Sequence, residues 1–134
     1  MKKTLSLILV FMLCMLLISC SMKPAEVVVG EWAGTYTWQG SKQYYNGKEL
    51  DTGDTLKFTM SIFKGGAVEI VRENPEKDYK STHTGTWEIS DGVLVVACPT
   101  DVVISWEINT DVTPETLNMN GSNIAFPKTL IKEK

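Results

Sequence analysis

The chain predicts an all-β domain, a small antiparallel up-and-down barrel of about eight strands, with a two-sheet β-sandwich as the alternative. Three observations carry that expectation. Apolar and polar residues alternate strictly from Thr55 to Phe63, the period of a strand with one buried face. Turn pairs recur between short apolar runs, at Asn46-Gly47, Gly65-Gly66, Asp91-Gly92 and Asn120-Gly121. Beyond residue 27 no stretch shows the 3.6-residue period of an amphipathic helix. Eight is also the strand number at which a meander closes around an interior that side chains fill or that holds one small ligand.

The N-terminal segment stands apart from this pattern. Met1-Lys2-Lys3 precedes an apolar run from Leu5 to Ile18, and a small residue and a cysteine follow, Ser19-Cys20. Charge, apolar stretch and small residue are the secretory order. The run falls short of the ~20 residues a membrane-spanning helix needs, and Ser21, Lys23 and Pro24 end it. Leu17-Ile18-Ser19-Cys20 is similar to the lipobox of bacterial lipoproteins: an aliphatic residue, a tolerant position, a small residue, then cysteine. The resemblance implies cleavage between Ser19 and Cys20, loss of residues 1–19 as a signal peptide, and a Cys20 thioether to diacylglycerol, with palmitate-type chains anchoring the protein in a membrane. Residues 20–27 are then a lipidated tether and residues 28–134 the domain. Ser21 in place of aspartate, with no acidic run after it, implies the outer membrane of the cell envelope, on its periplasmic face.

Loss of Lys2 and Lys3 takes the formal charge from −3 to −5. Such a domain has no basic footprint for nucleic acid and no polybasic face for anionic lipid. Cys14 and Cys20 belong to the leader and the anchor, so Cys98 is left without a partner for an internal disulfide. It follows Val93-Leu94-Val95-Val96-Ala97 and is expected to be a small buried apolar side chain.

The strands are expected as follows. Glu31–Trp38 places Trp32, Gly34, Tyr36 and Trp38 on one face. The polar stretch Gln39–Asp54 holds a projecting hairpin at Tyr44-Tyr45-Asn46-Gly47-Lys48. Thr55–Phe63 buries Leu56, Phe58, Met60 and Ile62, and Ala67–Arg72 follows the Gly65-Gly66 turn. Glu73–Lys80 reads as a loop. Ser81–Ile89 aligns Gly85, Trp87 and Ile89; Val93–Cys98 is apolar on both faces; Val102–Asn109 aligns Val102, Ile104, Trp106 and Ile108. Leu117 and Met119 mark a seventh strand, and Ile124–Ile131 an eighth, broken by Pro127.

Gly30-Glu31-Trp32 and the later Gly85-Thr86-Trp87 resemble the Gly-x-Trp signature of small lipocalin-like lipoproteins of Gram-negative bacteria, over roughly Val28 to Lys134. The resemblance implies a lipocalin-like barrel in which Trp32 plugs the closed end. The loops Gln39–Asp54, Glu73–Lys80, Pro99–Asp101 and Asn120–Asn123 then gather at the mouth. Lipocalins commonly lay an arginine from the end of the barrel over that tryptophan; here the end offers Lys128 and Lys132, and the sole arginine is Arg72.

No catalytic set is expected. His83 is the only histidine, has no nucleophile motif beside it, and is expected in the core or at a barrel end, in phase with Trp87. Glu49, Asp51 and Asp54 lack the ligand spacing of a calcium loop. The expected inward set is Trp32, Trp38, Trp87 and Trp106 with Phe58, Met60 and Ile104, filling the interior unless Gly34 and Gly85 leave a void. Tyr36, Trp38, Tyr44, Tyr45, Phe58 and Trp106 are the candidate ligand contacts. The expected function is a non-enzymatic, lipid-anchored envelope module that binds a small apolar ligand without a cofactor or metal. The alternative is a filled barrel whose mouth loops bind an envelope protein.

Overall fold

The computed structural model describes residues 24–99 and 102–134, so the leader and its Ser19-Cys20 junction lie outside the described residues. A helical turn, α1 (Pro24–Val28), comes first. Ten strands follow: β1 (Gly30–Thr37), β2 (Gln43–Tyr45), β3 (Lys48–Leu50), β4 (Thr55–Ile62), β5 (Ala67–Asn74), β6 (Tyr79–Ser90), β7 (Val93–Ala97), β8 (Val103–Asn109), β9 (Thr116–Met119) and β10 (Thr129–Lys132). Eight of them close an antiparallel up-and-down barrel of lipocalin-like form, in the order β1-β10-β9-β8-β7-β6-β5-β4, and β2 and β3 form a separate hairpin. The sandwich is thereby excluded.

Turn chemistry sets the register. Asn46 and Gly47 have φ of 50° and 77°, and Asp91 and Gly92 of 52° and 76°, the left-handed pairs that let two-residue turns follow the strand twist. β1 and β4 pair along their whole length, from Gly30 opposite Ile62 to Thr37 opposite Thr55. The other flank of β1 is lighter, with Trp32 opposite Lys132 and Ala33 opposite Ile131.

The interior is filled. Trp32, Phe58, Met60, Leu94, Val96, Trp106, Leu117 and Leu130 are all fully buried in one cluster. A smaller cluster of Trp38, Leu50, Leu56 and Tyr79 lies at the mouth. Gly34 and Gly85 leave no void. A Cβ on Gly34 would lie 2.7 Å from the Thr129 carbonyl oxygen, and one on Gly85 would lie 2.4 Å from that of Ala97. Both glycines let a neighbouring backbone approach.

At the closed end, α1 crosses the barrel floor. Val28 is fully buried, and its carbonyl accepts the Trp32 Nε1–H at 2.8 Å. Lys132 Nζ donates to the Val27 carbonyl at 2.7 Å and stands 5.7 Å from the centre of the Trp32 ring. A lysine of the last strand thus lies over the first tryptophan. Part of the expected tether is therefore packed structure, because Val27 and Val28 have apolar surface to bury there.

One further expectation needs correction and two need refinement. Trp87 shares the inward face with its partner Val96 and packs against the core, but it is only half-buried, its Nε1–H given to the Phe63 carbonyl at 2.8 Å. Ile124–Pro127 is not strand: Asn123 Oδ1 accepts from Ala125 N at 2.9 Å, the chain turns, and Phe126 drops inward. Of the two places expected for His83, the structure shows the barrel end and not the core. β6 runs twelve residues against five in β7, and the β6–β7 pairing ends at Thr86 opposite Ala97. The inward position of β6 just beyond Gly85 therefore has no β7 wall beside it, and His83 there is exposed.

Candidate functional site

That difference in strand length leaves a concavity at the mouth. A cleft of about 540 Å³ opens at the mouth beside the free stretch of β6, within the size range of small-molecule sites. Ile70 and Phe126 form apolar parts of its lining, Cys98 and Pro99 its β7 side, and Trp38, Arg72 and His83 its polar-edged wall.

Each wall residue is held in place. Trp38 is buried, its Nε1–H donates to the Ser41 carbonyl at 2.8 Å, and its backbone exchanges 2.8 Å bonds with Asp54 and Gly53. Gly40 packs against the indole so closely that a Cβ would come within 2.3 Å of it. The loop carrying Trp38 is tied across the mouth by Lys77, whose ammonium lies 2.7 Å from both Asp51 and Asp54. This lysine holds both carboxyls below the usual aspartate range. Phe126 sits between cleft and core, with ring centres 5.4 Å from Phe58 and 6.3 Å from Trp106. Trp106 Nε1 is the one buried side-chain polar atom without a partner among the described residues.

Arg72 continues the inward row of β5 after Val68 and Ile70, opposite Phe58 on β4 and Ser81 on β6. Its Nε donates to the Ser81 hydroxyl at 3.3 Å, and the guanidinium carbon lies 5.8 Å from the centre of the Trp38 ring, a cation–π arrangement. Lys42, Lys48 and Lys77 all have carboxylate partners around the mouth, but among the described residues no carboxylate pairs with Arg72. Partial desolvation against the cleft wall and, after it, the Arg72 charge lower the His83 pKa and favour the uncharged imidazole. Burial raises the Cys98 thiol, which stays protonated.

No protein-family model, no curated protein and no solved structure matches the chain.

Of the candidate contacts, Trp38 lines the cleft. Phe58 and Trp106 are fully buried beneath it and present no surface to it. Tyr36 is half-buried; its hydroxyl donates to the Ala125 carbonyl at 2.9 Å, bracing the turn that holds Phe126, and burial raises its pKa against the opposing effect of Arg72. Tyr44 and Tyr45 point to opposite faces of the hairpin, as adjacent strand residues do. Tyr45 packs against β6, 6.0 Å from the His83 ring and 6.5 Å from Tyr79, whereas Tyr44 is 63% exposed. Arg72 and Ile70 were not among the candidates. Their signal was present in the sequence, because a lone arginine in phase with Val68 and Ile70 marks a charged residue on an inward row.

Among the described residues no group of three or more His, Cys, Asp or Glu is placed to hold a metal. His83 and Cys98 share the cleft, yet no hydrogen bond joins them, and the thiol is not activated by a charged imidazole.

Proposed function

We propose that this chain is a non-enzymatic binding module of the bacterial cell envelope, anchored by lipid at Cys20 and holding a small ligand with an apolar body at the mouth of its barrel. The cleft carries this reading: about 540 Å³, mostly apolar, above a core that side chains already fill. Its walls are pinned by hydrogen bonds and an ion-paired strap, so little ordering is left for binding to impose. The Leu17-Ile18-Ser19-Cys20 signature supports the anchor, and with Ser21 it favours the periplasmic side of the outer membrane.

The full chain expressed in a Gram-negative host and extracted in detergent tests both parts. Metabolic labelling with an alkyne-bearing palmitate analogue is expected to mark the wild type and not Cys20→Ala; equal labelling would sink the anchor. Native mass spectrometry of the extracted protein is expected to show an adduct of small-molecule mass that Trp38→Ala loses. A second reading rests on Tyr44, exposed on the hairpin at the mouth. Tyrosine is favoured at protein contacts, and in that reading the mouth loops bind an envelope protein. Loss of a crosslinked complex on Tyr44→Ser, with the adduct unchanged, would favour it.

A further inference from the structure

We infer that the cleft selects an anionic ligand: a small organic acid whose carboxylate meets the guanidinium of Arg72 while its apolar body lies over Trp38, Ile70 and Phe126. This deepens the binding reading above and rests on it.

The inference starts from how the chain spends its charges. The protein is acidic, with 16 Asp and Glu against 13 Lys and Arg, so partners for a cation are plentiful. Three lysines around the mouth have found them, at 2.7 to 3.6 Å. The single arginine has none among the described residues, although it stands on the inward row of a barrel strand beside a fully buried serine. A partly desolvated charge without a counter-charge is costly to keep. Sequence-neutral packing would put an aliphatic residue there, as at Val68 and Ile70 on the same row.

The guanidinium is also oriented for a guest. Its Nε–H is used by Ser81, and its face lies toward Trp38. Neither contact uses the two terminal nitrogens, the edge of the fork that binds a carboxylate through two parallel hydrogen bonds; a further neighbour, the Tyr36 hydroxyl, is neutral and leaves the charge unpaired among the described residues. The rest of the polar lining of the cleft is Gln43, Thr82, Thr84 and Asn123, neutral residues that tolerate an anion, and no described carboxylate lines it. Below lie the apolar parts, Ile70 and Phe126. The arrangement is therefore polar at one wall and apolar at the other, the layout that an amphipathic acid complements. A ligand with a cationic head would be repelled by Arg72, and a neutral one would leave the charge unanswered.

Three matched probes test this on the full-length protein in nonionic detergent micelles: 4-phenylbutyrate, 4-phenylbutanol and 4-phenylbutylamine. Binding is followed by protein-observed NMR shifts, with empty micelles to correct for probe partition. The acid is expected to bind at least tenfold more tightly than the alcohol, and the amine more weakly than either. Arg72→Gln is expected to abolish that preference while changing the alcohol's affinity by less than twofold; Arg72→Lys keeps part of it. Trp38→Ala lowers the affinity for acid and alcohol alike. The near-UV circular dichroism of each variant checks that the barrel remains folded. If the alcohol binds as tightly as the acid, or if Arg72→Gln leaves their ratio unchanged, the anion subsite is wrong and the apolar site stands. If no probe gives a saturable shift at cleft residues, the binding reading and the subsite fall together.

Discussion

Replacing Phe126 by alanine should both destabilise the barrel and deepen its cleft. Phe126 is 8% exposed and forms the boundary between the open space and the packed interior, touching Phe58 and Trp106 with ring centres at 5.4 and 6.3 Å. Removing a buried phenyl ring costs about 3–5 kcal/mol, through lost transfer energy and an unfilled space. Here the space adjoins an open cleft that water can enter, so the lower end applies, about 3 kcal/mol. For a domain of this size each kcal/mol moves the melting temperature by roughly 4 °C, so Tm should fall by about 12 °C. Phe126→Leu keeps most of the fill and should cost about 1 kcal/mol. Thermal unfolding followed by near-UV circular dichroism gives the stability. Acrylamide quenching gives the second readout, because Trp106 is fully buried under Phe126 and should become accessible in the alanine variant alone. A loss below about 1 kcal/mol, with unchanged quenching, would refute the account of Phe126 as the plug of the barrel mouth.

Other expectations follow from separate contacts. Gly85→Ala would drive a methyl to 2.4 Å from the Ala97 carbonyl oxygen; urea titration should show a loss of about 2 kcal/mol, the cost of overpacking, and a neutral result would mean that β6 and β7 are not so close. Lys132→Ala removes the hydrogen bond to Val27 and the cation over Trp32, about 1–2 kcal/mol together, and should speed exchange of the Trp32 indole proton. Lys128→Ala, whose ammonium meets the exposed turn at Gly121, should stay within about 0.5 kcal/mol. The His83 midpoint followed by NMR should lie below the ordinary imidazole value of about 6.5, and Arg72→Gln should raise it. Since the folded state binds that proton less readily than the unfolded chain, stability should fall as pH drops from about 6.5 through the folded midpoint. A wild-type midpoint at or above 6.5 would contradict the surroundings assigned to His83.

What could be read in advance was whatever depends on local spacing. Leu56, Phe58, Met60 and Ile62 declare a buried face by alternation alone, and all four are buried. Asn46-Gly47 and Asp91-Gly92 declare turns because few other pairs accept two positive φ values. The cleft was not readable in this way, because it arises from twelve residues of β6 outrunning five of β7. That mismatch is a property of pairing register, which no single strand carries. For the same reason an inward phase could not distinguish Phe58, sealed in the core, from His83, open to water on the same side of the wall. The expected filling of the interior depended on Gly34 and Gly85 leaving no void, and they leave none because neighbouring carbonyls occupy the space. Arg72 stands in phase with Val68 and Ile70 far from the chain end, and the cation over Trp32 is Lys132.

The floor of the barrel has a consequence for geometry on a membrane. Because α1 folds under the closed end, the chain enters the domain at the opposite pole from the cleft. An eight-residue strand such as β4 is about 26 Å long at ~3.3 Å per residue. The four residue-to-residue steps from Cys20 to Pro24 reach at most ~14 Å. With the lipid on Cys20 as proposed, the domain stands on the bilayer with its opening turned outward, like a cup on a table. Cargo would then be exchanged with the aqueous gap or with a structure facing the membrane, not drawn sideways out of the leaflet that holds the anchor.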